Sequence, residues 1–468
     1  MIELLQLCGF GPKEIESELS RVEKVFNRVG ITAEDIEQGK QRLVKYFDTE
    51  LQGVRKMLRL YIKGVVNLML AREEGKKKII YGFMAPGLET IGSALMAKSK
   101  EVYVSYPTQS FTTVLGLIFD KLVPILEGAE KKWLKTGAVA HCANVKLILG
   151  LFALDLIPKP DLLVTSGFLC EAAPKTIDLL HESYDIPTYS CDGCRDIESM
   201  EDPHARQAVN LAVRSYRGLS KILQELTGIE VTDDMLWEAI RAKESFGNAV
   251  LKIQRLIENS DPLPIRSTHR VLFYRLDTSS YNMDDIPDQT DALNTLYDEL
   301  RERVNQGFAA VEKGAPRIFC VLPAHESDPR LEQLLDEMGL APVAVEGRLF
   351  APDGGYTPHT EKPKDPYEIL CRFLQTSMYE TPKARIAILI AACKRLNIDG
   401  VLDRYHAGCR SVAGDALLIR DAIIKELGIP VLALDWENFD PRIYNHEQYK
   451  KSLEIFKTML VRKGTKRN

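Results

Sequence analysis

Little in this sequence points to an extracellular or membrane protein. Nine cysteines are scattered over 468 residues with no dense disulfide pattern, which excludes a small disulfide-stapled fold. No run of 18 apolar residues occurs, so no transmembrane helix is expected. The most apolar segment, Val114–Leu126, carries Asp120 and Lys121 and reads as a buried helix. The opening MIELLQLCGFGPKEIESE has neither a basic region nor a cleavage site, so a cytoplasmic chain without a secretion signal is expected. Positive charge is not in excess. The net charge is −5, which argues against a general nucleic-acid binder. Nucleotide-binding glycine loops are missing too. GSALMAK holds no GxGxxG and no GxxxxGK(S/T) occurs, so dinucleotide binding and ATP hydrolysis are not expected of this chain. No nucleophile elbow supports Ser-His-Asp chemistry.

What is present is a long globular chain, 45% hydrophobic and 27% charged. Its length asks for about two or three cores. Residues 1–75 have apolar positions at three- and four-residue spacing and form a helical segment that wraps a core or offers a partner surface. From about 76 to 200, short apolar runs (KIIYGF, EVYVSYPTQ, PDLLVT, IPTYSC) alternate with helical patterns. This pattern predicts βαβ units and a parallel sheet. Residues 201–315 are a helical connection. In it Asp233 is the expected N-cap of one helix, Val271–Leu276 reads as a strand, and Asp288–Lys313 as a helix. A second α/β series runs from 316 to 468, with RIFCVLP and APVAVEG as strands and a C-terminal helix. The fold class is therefore α/β, with two parallel-sheet domains that look like a divergent duplication without close repeats in the residues.

The most informative stretch is Gly400–Asp440. It reads as a buried strand, a polar turn holding Cys409, a helix and a second buried strand. Ligands of open α/β sheets sit at such turns, at the carboxyl ends of the strands. Cys142 in GAVAHCANVKLIL stands at a helix start, and Cys170 follows the strand DLLVT and opens the next helix. A helix N-terminus favours thiolate, and thiolates converging from distant segments can build a metal site. Spacing alone leaves open the alternative that these are buried structural cysteines. Cys371 and Cys393 lie in helical patterns and read as core. His141 and His406 flank two of the thiols. They are donors to sulfur or acids near a substrate, or else solvated turn residues. Arg410 could hold a phosphate or pair with Asp403.

FMAPGLETIGSA, HCANVK, DLLVTSGFLCEA, PRIFCVLP and IDGVLDRYHAGCR…LGIPVLALDWENFDPR together resemble the 2-hydroxyacyl-CoA dehydratase / benzoyl-CoA reductase family. The resemblance covers about 80–440. It implies two Rossmann- or flavodoxin-like domains with a [4Fe-4S] cluster between them, held by Cys142, Cys170 and Cys409 and open at the fourth iron. It implies an ATP-hydrolysing activator protein with its own cluster, a homologous second subunit or a homodimer, and a CoA thioester substrate reduced through a ketyl radical anion. Dehydration of a 2-hydroxyacyl-CoA and ring reduction of the benzoyl-CoA type both fall within that chemistry.

Two departures stand beside the resemblance. Where the family has an acidic residue after the proline of the first loop, this chain has Gly87. Glu89, two positions on, becomes the acid/base candidate along with His406. At the end of the fourth strand stands Cys191-Asp192-Gly193-Cys194, a metal or redox candidate or a pair of turn cysteines. With Cys320 these thiols suggest a double-cubane [8Fe-9S] alternative. The lost acid suggests another, a non-catalytic electron-relay companion. Zinc is the rival metal, and only Cys191 and Cys194 have its spacing.

Overall fold

The structure, a computed structural model, describes residues 1–133, 142–167, 170–193, 204–273, 285–321, 327–346, 364–371, 381–406, 408–409 and 413–464. The chain opens with helices α1 (Ile2–Leu7), α2 (Pro12–Arg28), α3 (Ala33–Tyr46) and α4 (Gln52–Leu70). Thr32 starts α3 with a capping box: it accepts from Asp35 N while Asp35 accepts from Thr32 N, so two orphan amides of the first turn are satisfied. Helix α4 is buried along most of its length, so this segment contributes core to the molecule as well as wrapping it.

The first sheet holds β1 (Lys78–Phe83), β2 (Val102–Ser105), β3 (Leu162–Ser166) and β4 (Thr188–Cys191), in the order β2-β1-β3-β4. Every pairing is parallel. The connecting helices are α5 (Leu88–Lys98), the short α6 (Pro107–Phe111), α7 (Val123–Lys132), α8 (Ala143–Ala153) and α9 (Ala172–Tyr184). Helices α10 (Ala205–Thr227), α11 (Asp233–Asn259) and α12 (Ile286–Asn305) lead on to the second sheet.

That sheet holds β5 (Arg317–Val321), β6 (Ala341–Val345), β7 (Gly400–His406) and β8 (Val431–Trp436), in the order β6-β5-β7-β8. It too is wholly parallel. Around it lie α13 (Arg330–Glu337), α14 (Pro366–Cys371), α15 (Pro382–Arg395), α16 (Ala416–Leu427) and α17 (His446–Gly464). The strand segments IIYGF, LLVTS and APVAV are buried throughout. Helices cover both faces of such a sheet, so the strands read as continuous apolar runs without alternation. The two sheets share one topology, and in both the order reverses between the first and third strands. In open α/β folds the crevice for a ligand opens at that reversal, beyond the carboxyl ends of the strands.

Three local expectations are corrected. Val271–Phe273 is helical, following a 3-10 turn at Ser267–His269. The rest of the expected strand, 274–276, lies outside the described residues, and a short apolar run does not distinguish strand from buried helix. Val114–Leu126 is not one helix. A π-helix over Thr112–Ile118 ends before Asp120, whose φ is 56°, and α7 begins afresh at Val123. Pro124 fits the first turn of a helix but not its interior, where it would clash with the preceding turn. The N-cap of α11 is Thr232, which accepts from Met235 N at 3.3 Å, so Asp233 is the first helical residue.

Candidate functional site

Three thiols stand at carboxyl-end turns. Cys142 is the N-cap of α8. Cys170 lies between β3 and α9, and Cys409 follows β7. Since β3 and β7 are the third strands of their sheets, Cys170 and Cys409 hold equivalent positions at the two crevices. The halves meet here. A Cβ built on Gly408 would lie 3.1 Å from Cys142 Cα and 3.4 Å from Glu437 Oε2.

Cys170 registers its neighbours electrostatically. Burial pushes its thiol up to about 11, the Cys142 thiol adds to this, the Ala172 and Ala173 amides oppose it, and Cys409 raises it further. The amides at the start of α9 thus face the sulfur as expected, but desolvation outweighs them and the thiol stays protonated. A cationic metal cluster would reverse that balance, because metal binding displaces the thiol proton. Among the described residues, no three His, Cys, Asp or Glu side chains are grouped to hold a metal ion. A cubane asks for a looser arrangement, because each thiolate binds a different iron corner. By donor type and shared surroundings the three turns fit a cluster.

His406 ends β7 and is 4% exposed, which overturns its reading as a solvated turn residue. Its Nε2 lies 2.7 Å from Glu437 Oε1 and 4.0 Å from Cys142 Sγ. Its buried Nδ1 has no hydrogen-bond partner among the described residues. Burial disfavours the imidazolium, but Cys142 and Glu437 outweigh it and push the ring up to about 10. Glu437 was not singled out in the sequence. Its signal was weak: an acidic residue just past the end of β8, in DWENFD.

Glu89 lies in the first turn of α5, with Lys243 Nζ 3.3 Å from Oε1 and the Tyr106 hydroxyl 3.2 Å from Oε2. The preceding turn is pinned through three successive carbonyls. Ser166 donates to Met84 O at 2.6 Å, and the Tyr106 and Tyr216 hydroxyls donate to Ala85 O and Pro86 O. Asn144, two residues after Cys142, donates to Met84 Sδ at 3.6 Å.

The other cysteines lie elsewhere. Cys191 ends the edge strand β4, fully buried beside Tyr216 and Cys371 in a separate apolar cluster. Burial, with Asp192 adding to it, pushes its thiol up to about 12. Cys320 is buried on β5 among the core residues of the second sheet. Cys194, His141 and Arg410 lie outside the described residues.

Two wholly parallel four-stranded sheets of the same strand order, covered by helices, define the chain as an α/β protein. The particular family follows from sequence comparison. The family model for the 2-hydroxyglutaryl-CoA dehydratase D-component matches residues 119–460, and the chain belongs to that family. It is similar to the alpha subunit of (R)-2-hydroxyglutaryl-CoA dehydratase from Acidaminococcus fermentans, with 22% identity over 302 residues. The match takes in 63% of this chain and 59% of the relative, so the chain spans about three-fifths of that relative's length. Among the described residues no helix is long and apolar enough to cross a membrane.

Proposed function

We propose that this chain is the cluster-bearing subunit of an activator-dependent dehydratase acting on a 2-hydroxyacyl-CoA thioester. One observation carries the reading: the Cys409 turn of the second sheet packs on Cys142, a Cβ on Gly408 lying 3.1 Å from Cys142 Cα, and both thiols act on the buried Cys170 of the first sheet. In this reading the three thiolates hold a [4Fe-4S] cluster with one iron left for substrate. When bound, such a cluster supplies a low-potential electron to the thioester carbonyl. The chain's own residues do the rest. Ser166 and His406, the buried last residues of β3 and β7, lie beneath the partly exposed thiols. Glu437 fixes the His406 ring, which holds a proton at Nε2 beside Cys142. Glu89, tied by Lys243 and Tyr106, orients the Met84–Gly87 turn more readily than it exchanges protons. The partners of this reading are a homologous second subunit, or a second copy of the chain, and an ATP-hydrolysing activator with its own cluster. Ring reduction is the other outcome of the same electron chemistry.

The double-cubane alternative is weaker, because Cys191 sits in a separate apolar cluster from Cys142 and Cys170. The companion-subunit reading has an observation in its favour. Gly87 has φ 86°, and a Cβ there would meet the Tyr216 ring at 2.9 Å, so no acidic side chain can take its place. Anaerobic purification with iron and acid-labile sulfide analysis tests the main reading. About four irons per chain are expected, lost in Cys142→Ser, Cys170→Ser and Cys409→Ser and kept in Cys191→Ser. Colourless protein with stoichiometric zinc would overturn it. Turnover of a CoA ester by the isolated chain with its activator would overturn the companion reading.

A further inference from the structure

A closed circuit of contacts joins the two halves around Cys142, and only part of it touches the thiols. Helix α8 begins at Cys142. One turn later it presents Lys146, which is buried and whose amide bonds back to Cys142 O at 3.2 Å. Lys146 Nζ lies 3.0 Å from Glu130 Oε1 on α7. Glu130 also takes the fork of Arg442, with Nη2 at 2.7 Å from Oε1 and Nη1 at 3.1 Å from Oε2. Arg442 belongs to the 3-10 turn Pro441–Ile443 that follows β8, 312 residues away in sequence from Glu130. It is held from behind by Asp440, through Nε at 2.8 Å and Nη2 at 2.6 Å. Five residues earlier in the same loop, Glu437 holds His406 against Cys142. The loop from Glu437 to Arg442 therefore grips the start of α8 at two points one helical turn apart.

The chemistry of the grip is specific. Two carboxylates face two cations, so the set is neutral when all four groups are ionised. The Arg442 bonds come first among the causes that lower the Glu130 carboxyl to about 2, with burial opposing and Lys146 adding to them. A guanidinium fork against a carboxylate fixes distance and angle together, which a lysine ammonium does not. The halves also meet where Gly116 of the π-helix packs against Ser327.

We infer that Glu130 and Arg442 are positioning residues that set the Cys142 thiol relative to His406 and Cys409 across the two halves. The inference rests on the proposed cluster site, but the circuit is made by the chain's own side chains. The test uses the full chain in two arms. In the first, anaerobically iron-loaded wild type, Glu130→Gln and Arg442→Lys are exposed to a ferrous chelator. Iron should leave the variants roughly tenfold faster, as when the partners that orient metal ligands are removed, with the charge-keeping Arg442→Lys losing the fork alone. In the second arm, the metal-free proteins are treated with a thiol-alkylating reagent and each cysteine is followed by peptide mass spectrometry. Cys142 and Cys409 should react severalfold faster in both variants while the buried Cys8 and Cys393 keep the wild-type rate. General loosening would expose all four and would overturn the inference. So would wild-type rates at Cys142 and Cys409 in both variants. If wild type itself binds no iron, the cluster reading fails, and the alkylation arm still decides the positioning role.

Discussion

Asp403 offers a direct test of how the second sheet treats charge. In the register of β7 it lies opposite Val321 of β5, one residue after the level at which Val345 ends β6. Glu346 thus comes to the same face of the sheet. Arg385 of α15 meets Glu346 there through two bonds, at 2.7 and 2.8 Å, and Asp415 at 3.2 Å. Asp403 is 2% exposed, and among the described residues its Oδ2 has no hydrogen-bond partner. Burial raises its carboxyl to about 7 from an ordinary 3.8, and Arg385 only partly opposes this. The folded chain therefore binds this proton more tightly than the unfolded chain does. Stability is fully present below the unfolded value and is lost as pH rises through the folded one. At about 1.4 kcal/mol per tenfold in proton affinity, the loss has an upper bound near 4 kcal/mol. Asp403→Asn cannot ionise, and any fixed cost of the amide is independent of pH. Urea denaturation of metal-free, reduced wild type and variant at pH 5, 6, 7 and 8 should show Asp403→Asn gaining on wild type by about 2–3 kcal/mol across that range. Asp336, also raised to about 7 by burial, leaves a residual slope in the variant. Parallel profiles for the two proteins would refute the reasoning.

Other outcomes follow from the same contacts. Arg385→Met takes the two-bonded guanidinium away from the buried Glu346 and should cost about 3–5 kcal/mol, with Arg385→Met/Glu346→Gln recovering part of it in a thermal or urea scan. Gly53→Ala forces a Cβ to 2.5 Å from Leu296, where α4 crosses α12 by backbone approach. That overpacking should cost about 1–3 kcal/mol, read as a lower denaturation midpoint with unchanged slope.

Much of the fold was legible in the residues. Apolar runs such as KIIYGF and LLVTS, each followed by helical periodicity, call for parallel strands buried on both faces. The thiol turns were also legible, because Cys142, Cys170 and Cys409 each stand beside a strand end or a helix start. Errors arose where short-range patterns carry little information. VLF at 271–273 has no length with which to declare a period, and the π-helix at Thr112–Ile118 depends on packing that no local pattern reports.

The chain itself determined its two α/β series, the positions of its thiols and its family membership, because these depend on order along the sequence and on side-chain type. Tertiary structure alone decided which of these residues share surroundings. It buried His406 and handed its Nε2 to Glu437. It set Cys191 in a different core from Cys142 and Cys170. It closed Glu130 of α7 on Arg442, 312 residues onward. The physical reason is that hydrogen bonds and ion pairs act over a few ångströms, while residues that far apart in sequence are brought within that range only by the packing of the sheets.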